Sequence, residues 1–311
     1  MALRKWQRVL VLLWCWLGWP GGLLAQGEFT VASYNLEAYL DVTTGSRPTK
    51  SEASRVKVQE SLLAVRADVV ALQEMGSRRA LMELRDALSR GGLDYPYWEH
   101  VTGFDTNIHL AVLSRFPFTA RLPHTNEGFL LYGRRFRVSR GFAEVEVQVN
   151  DHYRFTLISA HLKSRLESAL ADQAELREQE AIRLRRIIDA RLTARPEANL
   201  VVLGDLNDHP DSAPLRVILA RGKRQALTDT RPAERNGDDP VDPGPRGRIR
   251  RVTWTHFYAK EDVYSRIDYI LLSRGMASEW DPGGTYVLKI PNWGVGSDHR
   301  PIVARFRALD R

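Results

Sequence analysis

The chain has 311 residues with 45 basic against 38 acidic, a formal charge of +7, and one cysteine, Cys15. It is long enough to bury a sizeable core, and a lone thiol excludes both an intrachain disulfide framework and a cysteine-built zinc site. The charge permits a polyanionic partner without requiring one, because a leader containing Arg4, Lys5 and Arg8 would take three positive charges with it, lowering the excess from +7 to +4.

That leader is expected at residues 1–25. Arg4, Lys5 and Arg8 make a positive start, Val9 to Trp19 is apolar, and Pro20-Gly21-Gly22 breaks the run before Leu23-Leu24-Ala25. This is the layout of a secretory signal peptide and is short for a membrane span. The expectation is an exported protein, secreted or periplasmic, with no stable span after cleavage and a single domain over 26–311.

Phe29 to Asn35 reads as a strand, with Glu37 just beyond it. A loop around Pro48 leads to Thr49-x-x-Glu52, which fits a capping box, and Val58, Leu62 and Val65 follow at helical spacing. Asp68 to Glu74 is an apolar run closing on Gln73 and Glu74. Leu81, Leu84 and Leu88 predict a helix stopped by Gly91-Gly92. Tyr95 to Asp105 reads as an aromatic loop, and His109 to Leu113 as a strand before Ser114-Arg115-Phe116-Pro117. A basic and aromatic loop around Gly133 to Arg137 precedes Arg140 and the strand Phe142 to Val149.

Phe155 to Ser159 is apolar again and runs into Ala160-His161-Leu162-Lys163-Ser164. Leu166, Leu170, Ala174, Ala181, Leu184 and Ile188 mark one face of a long helix ending before Pro196. The chain then reaches its most informative stretch, Asn199 to Pro210. Leu200 to Leu203 suit a strand buried on both faces; Gly204 breaks the run; Asp205, Asn207, Asp208 and His209 follow. Read alone, this is an Asx-rich turn or a site. Arg231 to Arg251 reads as a solvated surface loop with a basic end at Arg246, Arg248, Arg250 and Arg251. Val252 to Phe257 is a strand, Asp268 opens another, and Ser297-Asp298-His299-Arg300 precedes the last.

One construction recurs. Apolar runs end in Asn35, Glu74, His161 and the Asp205/Asn207 pair, and others begin at Asp268 and Asp298/His299. If alternate strands are antiparallel, these groups meet on one rim. Carboxylates and carboxamides suit a hard divalent cation, Mg²⁺, Mn²⁺ or Ca²⁺, and leave the imidazoles for acid–base work or for bonding a phosphoryl oxygen. An Asp beside the last His would hold its tautomer. Together this is equipment for metal-assisted phosphoester hydrolysis.

The ordered set SYN, LQE, SRFP, SAHLKS, GDLND, RIDYIL and SDHRP resembles the endonuclease/exonuclease/phosphatase (DNase I-like) superfamily, in an exported, bacterial-type form. The resemblance spans Ser33 to Pro301. It implies an α/β fold, a four-layer α/β/β/α sandwich of two facing mixed sheets with outer helices. It implies Mg²⁺ as cofactor, held by Glu74 with Asn35 close by and Asp298 as a further carboxylate. Asp205 would activate the attacking water, Asn207 would hold a phosphoryl oxygen, and His299 would bond the scissile phosphate with Asp268 as its orienting partner. His161 would be a second active-site histidine, and Arg140 and Lys163 would bind phosphate. Asp208 and His209 are expected to be turn residues and Arg115 structural; orientation of His161 is open to either Asp105 or His109. The expected substrate is nucleic acid, with small or lipid phosphoesters as the alternative. The inositol phosphatase signature around GDLN and RID is missing, as are the additional residues of lesion-recognising nucleases. A binding protein that merely kept the fold is argued against by Glu74, Asp205, Asp268 and His299 occurring together.

Overall fold

A strand whose successive residues are all apolar has two faces to bury. In Val69–Met75, Val69 and Ala71 enter one core with Val31, Val112, Leu157, Val201 and Ile270. Val70 and Leu72 point the other way, into a core with Ala32, Leu62 and Leu84. In Leu200–Asp205, Val201 and Leu203 share the first core, whereas Val202 meets Leu184 and Ile188 in a third. Three cores between four layers are the result, in a computed structural model that describes residues 27–167, 169–221, 224–234 and 253–309. The expected leader, and Arg246, Arg248, Arg250 and Arg251, lie outside the described residues.

Two mixed sheets face each other across the first core, as the α/β/β/α reading requires. One runs in the order Ala233–Glu234, Trp280–Val287, Ile302–Arg307, Glu28–Tyr39, Val69–Met75, His109–Ser114, Tyr97–Val101. The other runs Thr228–Asp229, Asp268–Leu272, Leu200–Asp205, Arg154–His161, Phe142–Gln148, Phe118–Arg121. Helices Glu52–Val65 and Arg78–Arg90 cover the first sheet, and Gln173–Ala194 with Ala213–Leu219 the second. Among the described residues no helix is long and apolar enough to cross a membrane.

Local chemistry explains the boundaries and corrects four expectations. Ser51, not Thr49, caps the first helix by accepting from Ser54 N, so the Thr49–Glu52 capping box does not form. The second helix is capped by Ser77 and ends at Gly91 as expected. Tyr97–Val101 is an edge strand rather than loop, paired antiparallel with His109–Ser114. Gly128–Leu131 and Arg134–Arg137 form a hairpin where a basic loop was expected, its turn using Tyr132 and Gly133 at positive φ. The long helix begins only at Gln173, after its cap Asp172; Leu166 and Leu170 precede it and are exposed. Periodicity alone did not separate an exposed connector from the helix beyond it. Arg115 donates to Asp68 (2.8 Å), which also accepts from the Thr30 backbone, and so pins a turn in the way foreseen.

Candidate functional site

Register brings the polar ends together. Leu200–Asp205 runs parallel to Arg154–His161, setting Asp205 opposite His161, and antiparallel to Asp268–Leu272, setting Asp205 opposite Asp268. Gly204 permits this: a β-carbon there would lie 1.9 Å from the Ala160 carbonyl oxygen, and its φ of +135° is closed to other residues. In the facing sheet, Glu28–Tyr39 and Val69–Met75 pair regularly to Asn35↔Gln73 and then skip to Tyr39↔Met75. Glu37, Ala38 and Glu74 take positive φ within that irregularity, which aims Asn35 and Glu74 at the rim.

His299 is the centre of one half of the site. Its Nδ1–H donates to Asp268 Oδ2 (2.9 Å), and that oxygen also accepts from Thr255 Oγ1 (2.6 Å). Its Nε2 faces Asp205 Oδ2 at 3.7 Å and Asp298 Oδ1 at 3.8 Å. Burial would lower the His299 pKa, but the carboxylates of Asp268 and Asp205 outweigh it and hold the imidazole well above its ordinary value. Burial raises Asp205 to about 7, against the downward pull of His299. Asp298 is held below the usual range, its hydrogen bond to His256 and the charges of His299 and His256 overcoming its burial.

Asn35, Glu74 and His161 form the other half. The Asn35 side-chain nitrogen donates to Asp205 Oδ2 (2.9 Å) and approaches Glu74 Oε1 (3.5 Å), while its oxygen accepts from Glu37 N. Glu74 Oε2 accepts from Ala38 N (2.9 Å). His161 Nε2 lies 3.5 Å from Asp205 and 3.9 Å from Glu74. Burial, then the neighbouring Arg140 charge, keeps this imidazole well below the histidine range, so it is neutral. Two carboxylates thus converge on a neutral ring and an amide, and among the described residues no Lys or Arg lies within 4.0 Å of either. An oxygen-rich pocket in which, among the described residues, only Asp205 faces the charged His299 and Glu74 meets no cationic side chain fits a hard divalent cation, with Glu74 as its carboxylate and the Asn35 amide able to turn its oxygen inward.

The remaining predicted residues stand further back or are otherwise engaged. Asn207, at φ +55°, directs its amide to Leu162 O (3.0 Å) and Asp205 Oδ2 (3.3 Å). Arg140 is buried behind His161, its NH1 donating to Leu162 O and its Nε 3.6 Å from Asp105. The Lys163 ammonium donates to Ser164 O and Leu166 O, turned back onto its own loop. Asp208 pairs with Arg177 (2.8 Å). Neither Asp105 nor His109 orients His161: Asp105 goes to Arg140, His109 packs against the tilted ring of His100, and His161 Nδ1 is buried with no hydrogen-bond partner.

Three contributors escaped sequence reasoning. Ser297 Oγ donates to Asn35 O (2.7 Å) and accepts from His299 N, tying the two halves together. Lys50, its side chain 6% exposed, donates to Glu37 O beside the acidic rim. His256 packs against His299, ring centroids 4.5 Å apart and planes tilted by 45°, and its Nε2 is 3.5 Å from Asp298. His256 carried a weaker signal than the others, since it sits inside the expected strand Val252 to Phe257, where threonines alternate with apolar residues. Lys50 and Ser297 carried none beyond proximity to a motif.

With this geometry in hand, comparison with known proteins is specific about fold. Residues 32–299 match the Endonuclease/Exonuclease/phosphatase family. The human Nocturnin catalytic domain with bound sulfate superposes with TM-score 0.62 at 15% identity, over 90% of this chain and 94% of that one. Truncated TDP2 of Caenorhabditis elegans gives 0.58 at 18% identity, over 90% and 98%. Sphingomyelinase C of Streptomyces griseocarneus gives 0.57 at 20% identity, over 91% and 99%. No curated protein matches the chain in sequence.

Proposed function

Because the chain belongs to the Endonuclease/Exonuclease/phosphatase family, whose members are hydrolases acting on phosphoester bonds, we propose that it is a metal-dependent phosphodiesterase cleaving nucleic acid. The observation that carries the reading is the convergence of the His299–Asp268 pair, Asp205 and the Asn35–Glu74 pair on one rim. Glu74, with Asn35 and Asp298 in reach, would hold the cation, for which Mg²⁺ is the proposed ion; bound there, it would supply positive charge to the phosphoryl oxygens.

The chain's own groups account for the rest. Asp205 Oδ2, fixed by Asn35, takes the proton of the attacking water as that oxygen bonds phosphorus and the bond to the leaving oxygen breaks. His299, kept charged by Asp268 and Asp205, donates from Nε2 to a non-bridging phosphoryl oxygen. His161, neutral and buried, offers a second donor between Asp205 and Glu74. Asn207 can hold a phosphoryl oxygen by releasing its bond to Asp205. Arg140 acts from behind His161 as a fixed positive charge.

A polymeric substrate is supported by a cleft of about 830 Å³ lined by Arg78, Trp98, His100, His109 and Arg121. His109 pairs with Met75, the residue after Glu74, so the cleft leads away from the rim. Arg78 lies over the Trp98 ring at 4.5 Å, a combination suited to a phosphate chain carrying bases. Export by the leader is part of the same proposal, and the mature protein should begin near Gln26 when its N-terminus is sequenced.

The test is hydrolysis of plasmid DNA beside bis- and mono-p-nitrophenyl phosphate, with Mg²⁺, Mn²⁺ or Ca²⁺ and an EDTA control. Nicking of DNA with little monoester release, weakening steeply with salt, is the expected result. Monoester release without DNA cleavage would replace the nuclease by a phosphatase.

A further inference from the structure

His256 is not needed for the hydrolysis just described, yet it is built into the rim with unusual care. It forms a bridge pair with His299 through the backbone, and Phe257 N donates to Asp298 O, so the three residues are locked in mutual position. Each imidazole has its Nδ1 occupied by an outer partner, Ser265 Oγ for His256 (3.2 Å) and Asp268 for His299 (2.9 Å). Each Nε2 therefore faces the Asp298 carboxylate, at 3.5 Å and 3.8 Å, one oxygen toward each ring. An outer hydrogen bond that holds the ring in place and leaves the other nitrogen facing inward is the support a metal-ligating histidine usually has.

We propose that His256, Asp298 and His299 form a second, nitrogen-rich cation site that takes Zn²⁺, and that its occupancy shuts off phosphoester hydrolysis. The ligand atoms all lie within 4.8 Å of one another. Zinc bonds of 2.0–2.1 Å in a tetrahedron put neighbouring ligand atoms about 3.3 Å apart, so the carboxylate would turn one oxygen toward both rings and the three groups would draw together around the ion. Two imidazoles and one carboxylate are a zinc donor set and a poor one for Mg²⁺; Asp298 is the one ligand this site would share with the Glu74 side. The Asp298 side chain is partly open, leaving an entry path and room for a water as fourth ligand. Inhibition rests on the proposed function, since zinc would withdraw His299 Nε2 from the phosphoryl oxygen.

Calorimetric titration of Zn²⁺ into the full chain in saturating Mg²⁺ tests the site without reference to activity. Binding of one ion is expected, weakened by at least about tenfold in both His256→Phe and Ser265→Ala, the second variant removing only the outer partner. Co²⁺ in place of Zn²⁺ should give the visible absorption of a four-coordinate ion, absent from His256→Phe. If His256→Phe does not fold, Ser265→Ala decides alone. No binding by the native protein, or unchanged affinity in the folded variants, overturns the proposal. In parallel, zinc should inhibit Mg²⁺-dependent bis-p-nitrophenyl phosphate hydrolysis with the calorimetric midpoint. Hydrolysis without zinc binding sinks this site alone, whereas zinc binding without hydrolysis of any phosphoester sinks only the assigned function.

Discussion

His299 Nδ1 donates to Asp268 Oδ2 across 2.9 Å in a pair that is buried from solvent, and the two residues come from different positions along one rim. Asp268 opens a strand of one sheet, and His299 precedes a strand of the other. This hydrogen bond, like the one from Asn35 to Asp205, joins the sheets where the chemistry is proposed, and it leaves Nε2 turned toward Asp205 and Asp298.

Replacing either partner should therefore cost rate. His299→Ala and Asp268→Asn should each lower kcat on bis-p-nitrophenyl phosphate by about 10²- to 10⁴-fold, the range of positioned proton donors and acceptors. Asp268→Asn should act by freeing the ring to take the wrong tautomer. Circular dichroism should show both variants folded; turnover near the native level in either one would reject the mechanism.

Asp205 should set the acid limb of the pH profile. Its pKa is raised to about 7, mainly by burial, so the unprotonated form needed to accept the water's proton accumulates as pH rises through that value. His299 titrates well above its ordinary range and stays charged over the same interval. The rate constant kcat/KM should climb through about pH 7, and Asp205→Asn should both flatten that limb and lower the plateau by about 10²-fold or more. A profile unchanged by the substitution assigns the base elsewhere.

Removal of divalent cations should abolish hydrolysis, and Mg²⁺ should restore it. Glu74→Gln keeps the shape of the side chain but removes its charge, so the Mg²⁺ concentration giving half-maximal rate should rise by about tenfold or more. Equal Mg²⁺ dependence in the native and Glu74→Gln proteins would place the ion away from Glu74.

Gly204→Ala should damage the fold itself. The added methyl meets the Ala160 carbonyl oxygen, which belongs to the neighbouring strand and cannot rotate away, and the backbone there is at positive φ. A loss of about 3 kcal/mol or more is expected from overpacking and strain together, measured as a lower urea midpoint. A midpoint within error of the native one would show that the strands can part without cost.

The sequence by itself marked the doubly covered strands and most of the rim, and the four-layer plan followed from the family resemblance its motifs carry. Runs such as Leu200 to Leu203 and Val69 to Leu72 have no polar face and the length of strands covered on both sides, and they end in Asp205 and Glu74. Spacing also marked Val58, Leu62, Leu81, Leu84 and Leu88 as helix faces, and these are buried. Boundaries were less legible: the Ser51 cap, the Tyr97–Val101 edge strand and the start at Gln173 depend on which neighbour each segment meets. Only the tertiary structure decided how the polar ends divide the work. Strand register, the Gly204 contact and the irregular pairing after Asn35 turn Asp205 toward Asn35, His161 and His299 at once. The same packing turns Lys163 back onto its own loop and brings in His256, Ser297 and Lys50. The physical reason is range. Periodicity and capping act over a few residues, whereas the bond from Asn35 to Asp205 joins positions 170 residues apart and exists only once two sheets have packed.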